Sequence, residues 1–286
     1  MVALCLMAGP REACHHHDVK IPLAMVVALL AVASLGCRND DQVLVGVTSS
    51  VQDTGLLDEL VLAFRDEYGY AAKPIVGGSG QILELARNGE LDAIMTHAPA
   101  DEMAFVSDAY GRERIPVMRN YFQVAGPRDD PAGVSEAVDL ADAFGRIATA
   151  EAAFLSRGDG SGTHRREMAV WQAAGIDPTS DWYRESAAGQ GQTLSLANDS
   201  GAYTLVDSAT FTVFQDILDI VLLHRDPDIP NVYSVIPLDG DRIEEVNVQA
   251  GDDWVKFMTG SAQQLIAEYG VEEYGQPLFE PLVLLD

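Results

Sequence analysis

Residues 156–164 read SRGDGSGTH, a stretch that concentrates an arginine, hydroxyl side chains and glycines. Each of these types has a part in holding an anion. Glycine lets backbone N–H groups approach a ligand closely, serine and threonine add O–H donors, and Arg157 supplies a planar fork suited to oxyanions. Asp159 is out of place in such a loop unless it orients Arg157 or satisfies backbone donors of the turn. Three other stretches share this composition: TSSVQD from Thr48, GGSGQ from Gly77 and AAGQGQ from Ala187. Each follows a run of strand type and opens a helical pattern, so free N–H groups and the positive end of a helix dipole face whatever lies beyond. Ser, Thr and Gly before a helix are also ordinary caps and turns. What singles these loops out is their recurrence in corresponding places.

Catalytic readings of the same residues fare worse. GGSGQ has Gln81 where a nucleophile elbow needs its second glycine, and neither Gly-rich loop has the lysine of a Walker loop. GQGQTL lacks the last glycine of a dinucleotide fingerprint. His97, in MTHAP at a strand end, has no second His, Cys or carboxylate at ligand spacing and reads as a packed histidine shaping a cleft. The tripeptide RGD at 157–159 lies between a strand and a helix, which argues against an integrin-type recognition loop.

The elements that must position these loops alternate strand-length apolar runs with helical periodicity, an α/β pattern. VLVGV (43–47) predicts a buried strand, followed by a helix with Leu56, Leu57, Leu60, Val61 and Phe64 on one face and Gly69 as its stop. The strand AKPIV precedes the helix QILELARNG, and LDAIMT precedes a helix over 99–109. From about residue 152 the same grammar restarts: AAFLS, a helix over 163–174, WYRES, a helix near 191–199, AYTLV, a helix from 208 and LDIVLLH. Two α/β lobes result, joined by short strands in YFQVAGPRDDPAG and IPNVYSVIPLDG, and the terminal helical stretches pack back on the first lobe. The expected division is 43–120 plus 237–286 for lobe 1, 127–229 for lobe 2, and 121–126 with 230–236 as a two-strand hinge. Ligands of open α/β sheets bind beyond the carboxyl ends of the strands, where all four loops fall.

The 286 residues, 48% of them hydrophobic, are enough for proper cores. A formal charge of −26, with lysine only at Lys20, Lys73 and Lys256, disfavours nucleic acid and anionic membrane surfaces as partners. Such a surface also suits a salty medium, in which charges beyond roughly 8 Å hardly interact. Cys5, Cys14 and Cys37 all lie near the start, so the body contains no disulfide.

Lys20 is followed by IPLAMVVALLAVASLG and then Cys37, which predicts an export signal over 1–36 and a polar linker over 37–42. A cysteine directly after such a run resembles the bacterial lipoprotein signal, with Cys37 lipidated and first in the mature chain. Ser34 stands where leucine is usual, and simple secretion is the alternative. The upstream piece with Cys14 and His15 to His17 would be removed with the signal, and a start at Val19 would give a more compact leader.

In order along the chain, VTSSVQDTGLLDEL, GGSGQILELARNGELDAIMTHAPADE, GPRDDPAG, SRGDGSGTHRRE, WYRESAAGQGQTLSLANDSGAYTLVD and GQPLFEP resemble the tungstate-binding proteins of Tup-type ABC importers. The resemblance spans nearly all of 43–280 and implies a class II periplasmic-binding-protein fold whose two lobes close on the oxyanion. It implies tungstate or molybdate as cargo, no cofactor, an ABC permease and ATPase as partners, and no catalysis. It also implies a periplasmic or cell-surface monomer whose only membrane attachment is a lipid anchor. The family's anion loop falls on Thr48, Ser49 and Ser50, with Val47 in place of its first threonine. Its second loop falls on Ser79 and Gly80, and its S-R-G-D-x-S-G-T loop gives Arg157, Ser161, Gly162 and Thr163 as ligands. Phosphate-binding proteins of the same class resemble this chain at R-x-D-G-S-G-T. They tend to carry an aspartate soon after the first loop to accept the phosphate proton; Asp53 could imitate it, but reads as a helix-start residue. An enzyme acting on a small anionic substrate is a further alternative, without an evident nucleophile or base.

Overall fold

The computed structural model describes residues 41–179 and 181–283. Residues 1–36, expected to form an export signal, and Cys37 lie outside the described residues.

The chain begins with β1 (Gln42–Thr48), whose Val43, Val45 and Val47 are fully buried, and turns at Thr48 into the short α1 (Ser49–Asp53). Gly55, with φ +80°, reverses the chain before α2 (Leu56–Tyr68), and Gly69, with φ +78°, ends that helix. The break means that Asp53 is the last residue of α1 and not a helix-start residue. β2 (Ala71–Gly77), α3 (Ser79–Arg87), β3 (Ala93–Thr96) and α4 (Pro99–Ser107) follow. β2 and β3 flank β1, both parallel to it. Parallel strands need crossovers, and α2 and α3 supply them.

β4 (Ile115–Gly126) leads to α5 (Leu140–Thr149), β5 (Phe154–Ser156), α6 (Gly162–Ala173), β6 (Tyr183–Glu185), α7 (Gln190–Ser200), β7 (Thr204–Asp207) and α8 (Ser208–Phe214). β8 (Val221–Pro237) returns antiparallel to β4 along most of its length, and also pairs with β3. The chain then packs α9 (Val248–Thr259), α10 (Ala262–Glu268) and α11 (Val271–Tyr274), and pairs β9 (Glu280–Pro281) with β4.

This is a two-lobe class II fold. One core gathers Phe64, Trp254 and Phe257 around β1; another gathers Phe144, Phe154 and Trp171 under β5. Burying each such ring stabilises the fold by roughly 1.5–3 kcal/mol. The connections between the lobes are not short strands as the sequence suggests. β4 and β8 are long continuous strands, and irregularities in their pairing fall at Pro116/Met118, Tyr121/Gln123 and Val124/Ala125. Helix α5 was not apparent from the sequence. Asp139 caps it by accepting from the Asp142 N–H at 2.7 Å. Among the described residues, no helix is long and apolar enough to cross a membrane.

Candidate functional site

The four loops noted in the sequence each leave the carboxyl end of a parallel strand and enter a helix. Thr48 ends β1 and caps α1, Gly78 follows β2 into α3, Ser161 caps α6 after β5, and Gly189 precedes α7 after β6. All four cap residues are extended, and only Ser161 uses its side chain as a cap, accepting from the His164 N–H at 3.3 Å. At Thr48 and Gly78 the cap side chain takes up none of the first helical N–H groups, which leaves them as donors, while at the Gly189 turn the Gly191 N–H is taken by Asp53.

Distances show that these loops meet. A guanidinium nitrogen of Arg157 lies 3.4 Å from Ser49 Oγ, and the other terminal nitrogen donates to Gln190 Oε1 at 3.3 Å. A methyl group at Gly78 would sit 3.5 Å from Ser161 Cα, and one at Gly80 would sit 3.2 Å from the Gly160 carbonyl oxygen. Gly162 has no room at all for a side chain, because a Cβ there would come within 2.6 Å of the His97 carbonyl oxygen. The lobes are therefore in direct contact through the predicted residues. Ser49 meets Arg157, Ser50 sits behind it between Thr48 and Tyr233, Ser79 accepts from the His97 N–H, and Gly80 lies against Gly160 in the turn that precedes Ser161, Gly162 and Thr163. A cavity of about 200 Å³ opens beside these loops, lined by His97, Gly162, Arg165 and Asn231.

Arg157 is 2% exposed and is held by Asp159, whose Oδ2 lies 2.5 Å from the same guanidinium nitrogen that faces Ser49. Asp159 also accepts from the Ser161 N–H at 3.0 Å. Burial works against its charge, but Arg157 and the Ser161 donors outweigh burial and hold its carboxyl below the ordinary value. The aspartate thus orients the arginine and ties the turn. Two donors of the arginine loop and the helix it opens have no partner: Arg157 Nε and Thr163 Oγ1 are both fully enclosed without a hydrogen bond. An enclosed donor without an acceptor costs about 1–3 kcal/mol, so such groups call for a partner.

Sequence reasoning missed the polar layer beneath the loops. Ser50 Oγ lies 3.0 Å from the Tyr233 hydroxyl, which accepts from Asn231 Nδ2 at 3.0 Å. His97 is packed as expected, with its ring stacked on Tyr233 at 4.8 Å and Nδ1 2.8 Å from Asn231 Oδ1. Burial above all pushes its pKa down to about 4, against the Asn231 hydrogen bond, so the ring is neutral at pH 7. Asn120 and Asn231 gave little signal of this layer, because Arg119, Gln123 and Arg225 already make both strands mixed. Asp53 Oδ2 is likewise engaged, accepting from the Gly191 N–H at 3.0 Å across the lobes.

This arrangement is a closed set of donors between two α/β lobes. A PBP superfamily domain matches residues 37–261. The chain is 34% identical over 280 residues to the tungstate-binding protein TupA of Peptoclostridium acidaminophilum, spanning 91% of this chain and 97% of that one. The chain belongs to the Tup-type family of the PBP superfamily. A Haloferax volcanii protein named as an ABC transporter anion-binding protein is 40% identical over 256 residues, covering 87% of this Tup-type chain and 74% of the relative. The crystal structure of the tungstate ABC transporter from Geobacter sulfurreducens matches it with a TM-score of 0.74 at 34% identity, over 81% of this chain and 100% of that one.

Proposed function

We propose that this protein is an extracytoplasmic receptor that closes its lobes on tungstate and delivers it to the permease and ATPase subunits of an ABC importer. The observation that carries this reading is the pair of enclosed, unpartnered donors, Arg157 Nε and Thr163 Oγ1, in a place where the loops at Thr48, Gly78, Ser161 and Gly189 meet. A small ion with four acceptor oxygens satisfies donors from several directions at once, which no single side chain can do. Thr48, Ser49, Ser50, Ser79, Gly80, Arg157, Ser161, Gly162 and Thr163 form the ligand shell in this reading. Lobe 1 is 43–120 plus 237–286, lobe 2 is 127–229, and 121–126 with 230–236 flex. In this reading residues 1–36 direct export, and lipidation of Cys37 anchors the monomer in the periplasm or at the cell surface. The oxyanion, tungstate or molybdate, is cargo and not a cofactor, and no catalytic group is needed.

Near neutrality phosphate keeps at least one proton and needs an acceptor, whereas tungstate is an unprotonated dianion that needs donors only. Asp53, the group that could have accepted the phosphate proton, is turned to the Gly191 N–H. That favours the donor-only ligand. Isothermal titration of the oxyanion-free protein with tungstate, molybdate, sulfate and phosphate tests the reading. Tungstate is expected to bind far more tightly than phosphate, and tighter phosphate binding would overturn the assignment.

A further inference from the structure

The buried polar layer has one consistent hydrogen-bond direction, and it ends on Ser50. The direction is set at Asp207, where the backbone N–H of Thr210 donates to Oδ1 at 3.0 Å. A backbone amide cannot reverse, and with the carboxyl ionised Oδ1 has no proton to give, so it accepts from both of its neighbours. Asn120 must then present its NH2 group to Oδ1, at 2.7 Å, and its carbonyl to the other side. That carbonyl accepts from Asn231 Nδ2 at 2.8 Å, which fixes the Asn231 amide in turn: its second N–H goes to the Tyr233 oxygen at 3.0 Å, and its carbonyl faces His97 Nδ1. His97 therefore carries its proton on Nδ1.

The phenol of Tyr233, fully buried, now has a lone pair occupied and a proton to place. Its next partner is Ser50 Oγ at 3.0 Å; Asn120 also lies close, but its carbonyl is already taken by Asn231 Nδ2 at 2.8 Å. A buried O–H pointed elsewhere would be left without an acceptor, so the phenol donates and Ser50 accepts. The Ser50 proton is consequently not taken by Tyr233. It faces the loop side, where Thr48 Oγ1, at 3.4 Å, is too far to hold it well.

We propose that Tyr233 is a positioning residue for the ligand site, which, through the chain Asp207–Asn120–Asn231, keeps the Ser50 hydroxyl aimed at the oxyanion as a donor. This rests on the tungstate reading and deepens it, because a hydroxyl fixed as a donor serves a dianion without protons and serves a protonated phosphate less well. Asn120 and Asn231 lie in β4 and β8, the strands that join the lobes, so the geometry of the crossing also sets the orientation of a ligand group.

The test uses calorimetric titration with tungstate and phosphate at pH 8, where phosphate is mostly a dianion that keeps one proton, on wild type, Tyr233→Phe, Ser50→Ala, the double variant and Asn231→Asp. Tyr233→Phe and Ser50→Ala are each expected to weaken tungstate about fivefold, the worth of one neutral hydrogen bond. The double variant should lose no more than either alone. Asn231→Asp turns an acceptor toward the phenol, so the Tyr233 proton leaves Ser50 and the Ser50 proton turns to the phenol. Its tungstate-to-phosphate affinity ratio should fall about tenfold; the added charge cancels in that ratio because both ligands are dianions. Additive losses near 25-fold in the double variant, or an unchanged ratio in Asn231→Asp, would overturn the proposal and reduce Tyr233 to a packing role. Tight tungstate binding that is indifferent to Ser50→Ala would overturn it while leaving the receptor reading intact. A wild-type protein that does not bind tungstate would overturn both.

Discussion

Asp53, the last residue of α1, accepts a hydrogen bond from the Gly191 backbone N–H at the start of α7, joining lobe 1 to lobe 2 at 3.0 Å. Burial raises the Asp53 pKa, while the Gly191 N–H and nearby Arg157 act in the other direction. The bond exists only while the lobes touch, so it is a latch on the closed form and not a contact to the ligand. Asp53→Ala should speed tungstate release about fivefold, the worth of one such bond, with little change in association. Stopped-flow displacement separates the two rates; equal slowing of association would assign Asp53 to the encounter instead. Small-angle scattering of wild type should give a smaller radius of gyration with tungstate than without.

Removal of the arginine should cost most. Losing one partner of a buried charged contact costs about 2–5 kcal/mol, so Arg157→Ala should weaken tungstate by roughly 30-fold to several thousand-fold. Arg157→Lys should recover little, because an ammonium group cannot reproduce the fork that meets Asp159, Ser49 and Gln190 together. A loss below threefold for Arg157→Ala, measured by titration, would remove this residue from the site.

The affinity should barely depend on pH. His97 has its pKa pushed down to about 4 and Asp159 is held below the usual carboxylate range, so neither changes charge between pH 6 and 9. Tungstate binding at constant salt is expected to vary by less than about threefold over that span. A tenfold slope would mean that a titrating group, either at the ion or behind the arginine loop at Glu167, is coupled to binding.

Stability should carry a pH signature from Glu167, on α6 behind the arginine loop. Its Oε1 accepts from Tyr183 OH at 2.9 Å and Trp171 Nε1 at 3.2 Å, but burial dominates and pushes its pKa up to about 7. With the folded value above the unfolded one, the Glu167 contribution is fully present below about pH 4.5 and is lost as pH rises toward 7. His97 has the opposite sign: its contribution is present above about pH 6.5 and is lost as pH falls toward 4. Glu167→Gln should therefore gain on wild type as pH rises from 4.5 to 7 and level off above, by roughly 3 kcal/mol at most. Urea unfolding across this range checks it, and a pH-independent difference would contradict the assignment.

The sequence was legible where a single element carried the signal. Short runs such as VLVGV and LDAIMT have the length and burial of parallel strands, and the Ser, Thr and Gly loops announce themselves by composition. The start of β4 was hidden because Pro116 and Arg119 interrupt its apolar pattern, although both face positions at which the sheet tolerates them. Helix α5 follows a Pro- and Gly-rich turn and contains Gly145, which masks its periodicity. Asn120 and Asn231 could not be paired from sequence, since partners 111 positions apart meet only once β4 and β8 are aligned. Asp53 read as a cap because its true partner, Gly191, belongs to the other lobe.

The central claim is that tungstate lies among the loops around Arg157. A crystal grown with tungstate, with data collected above a tungsten absorption edge, tests it most directly. A single strong anomalous peak is expected within hydrogen-bonding distance of Arg157 Nε and Thr163 Oγ1, enclosed by Ser49, Ser50 and the N-termini of α3 and α6. A tungsten peak elsewhere, with those two donors still unpartnered, would contradict it.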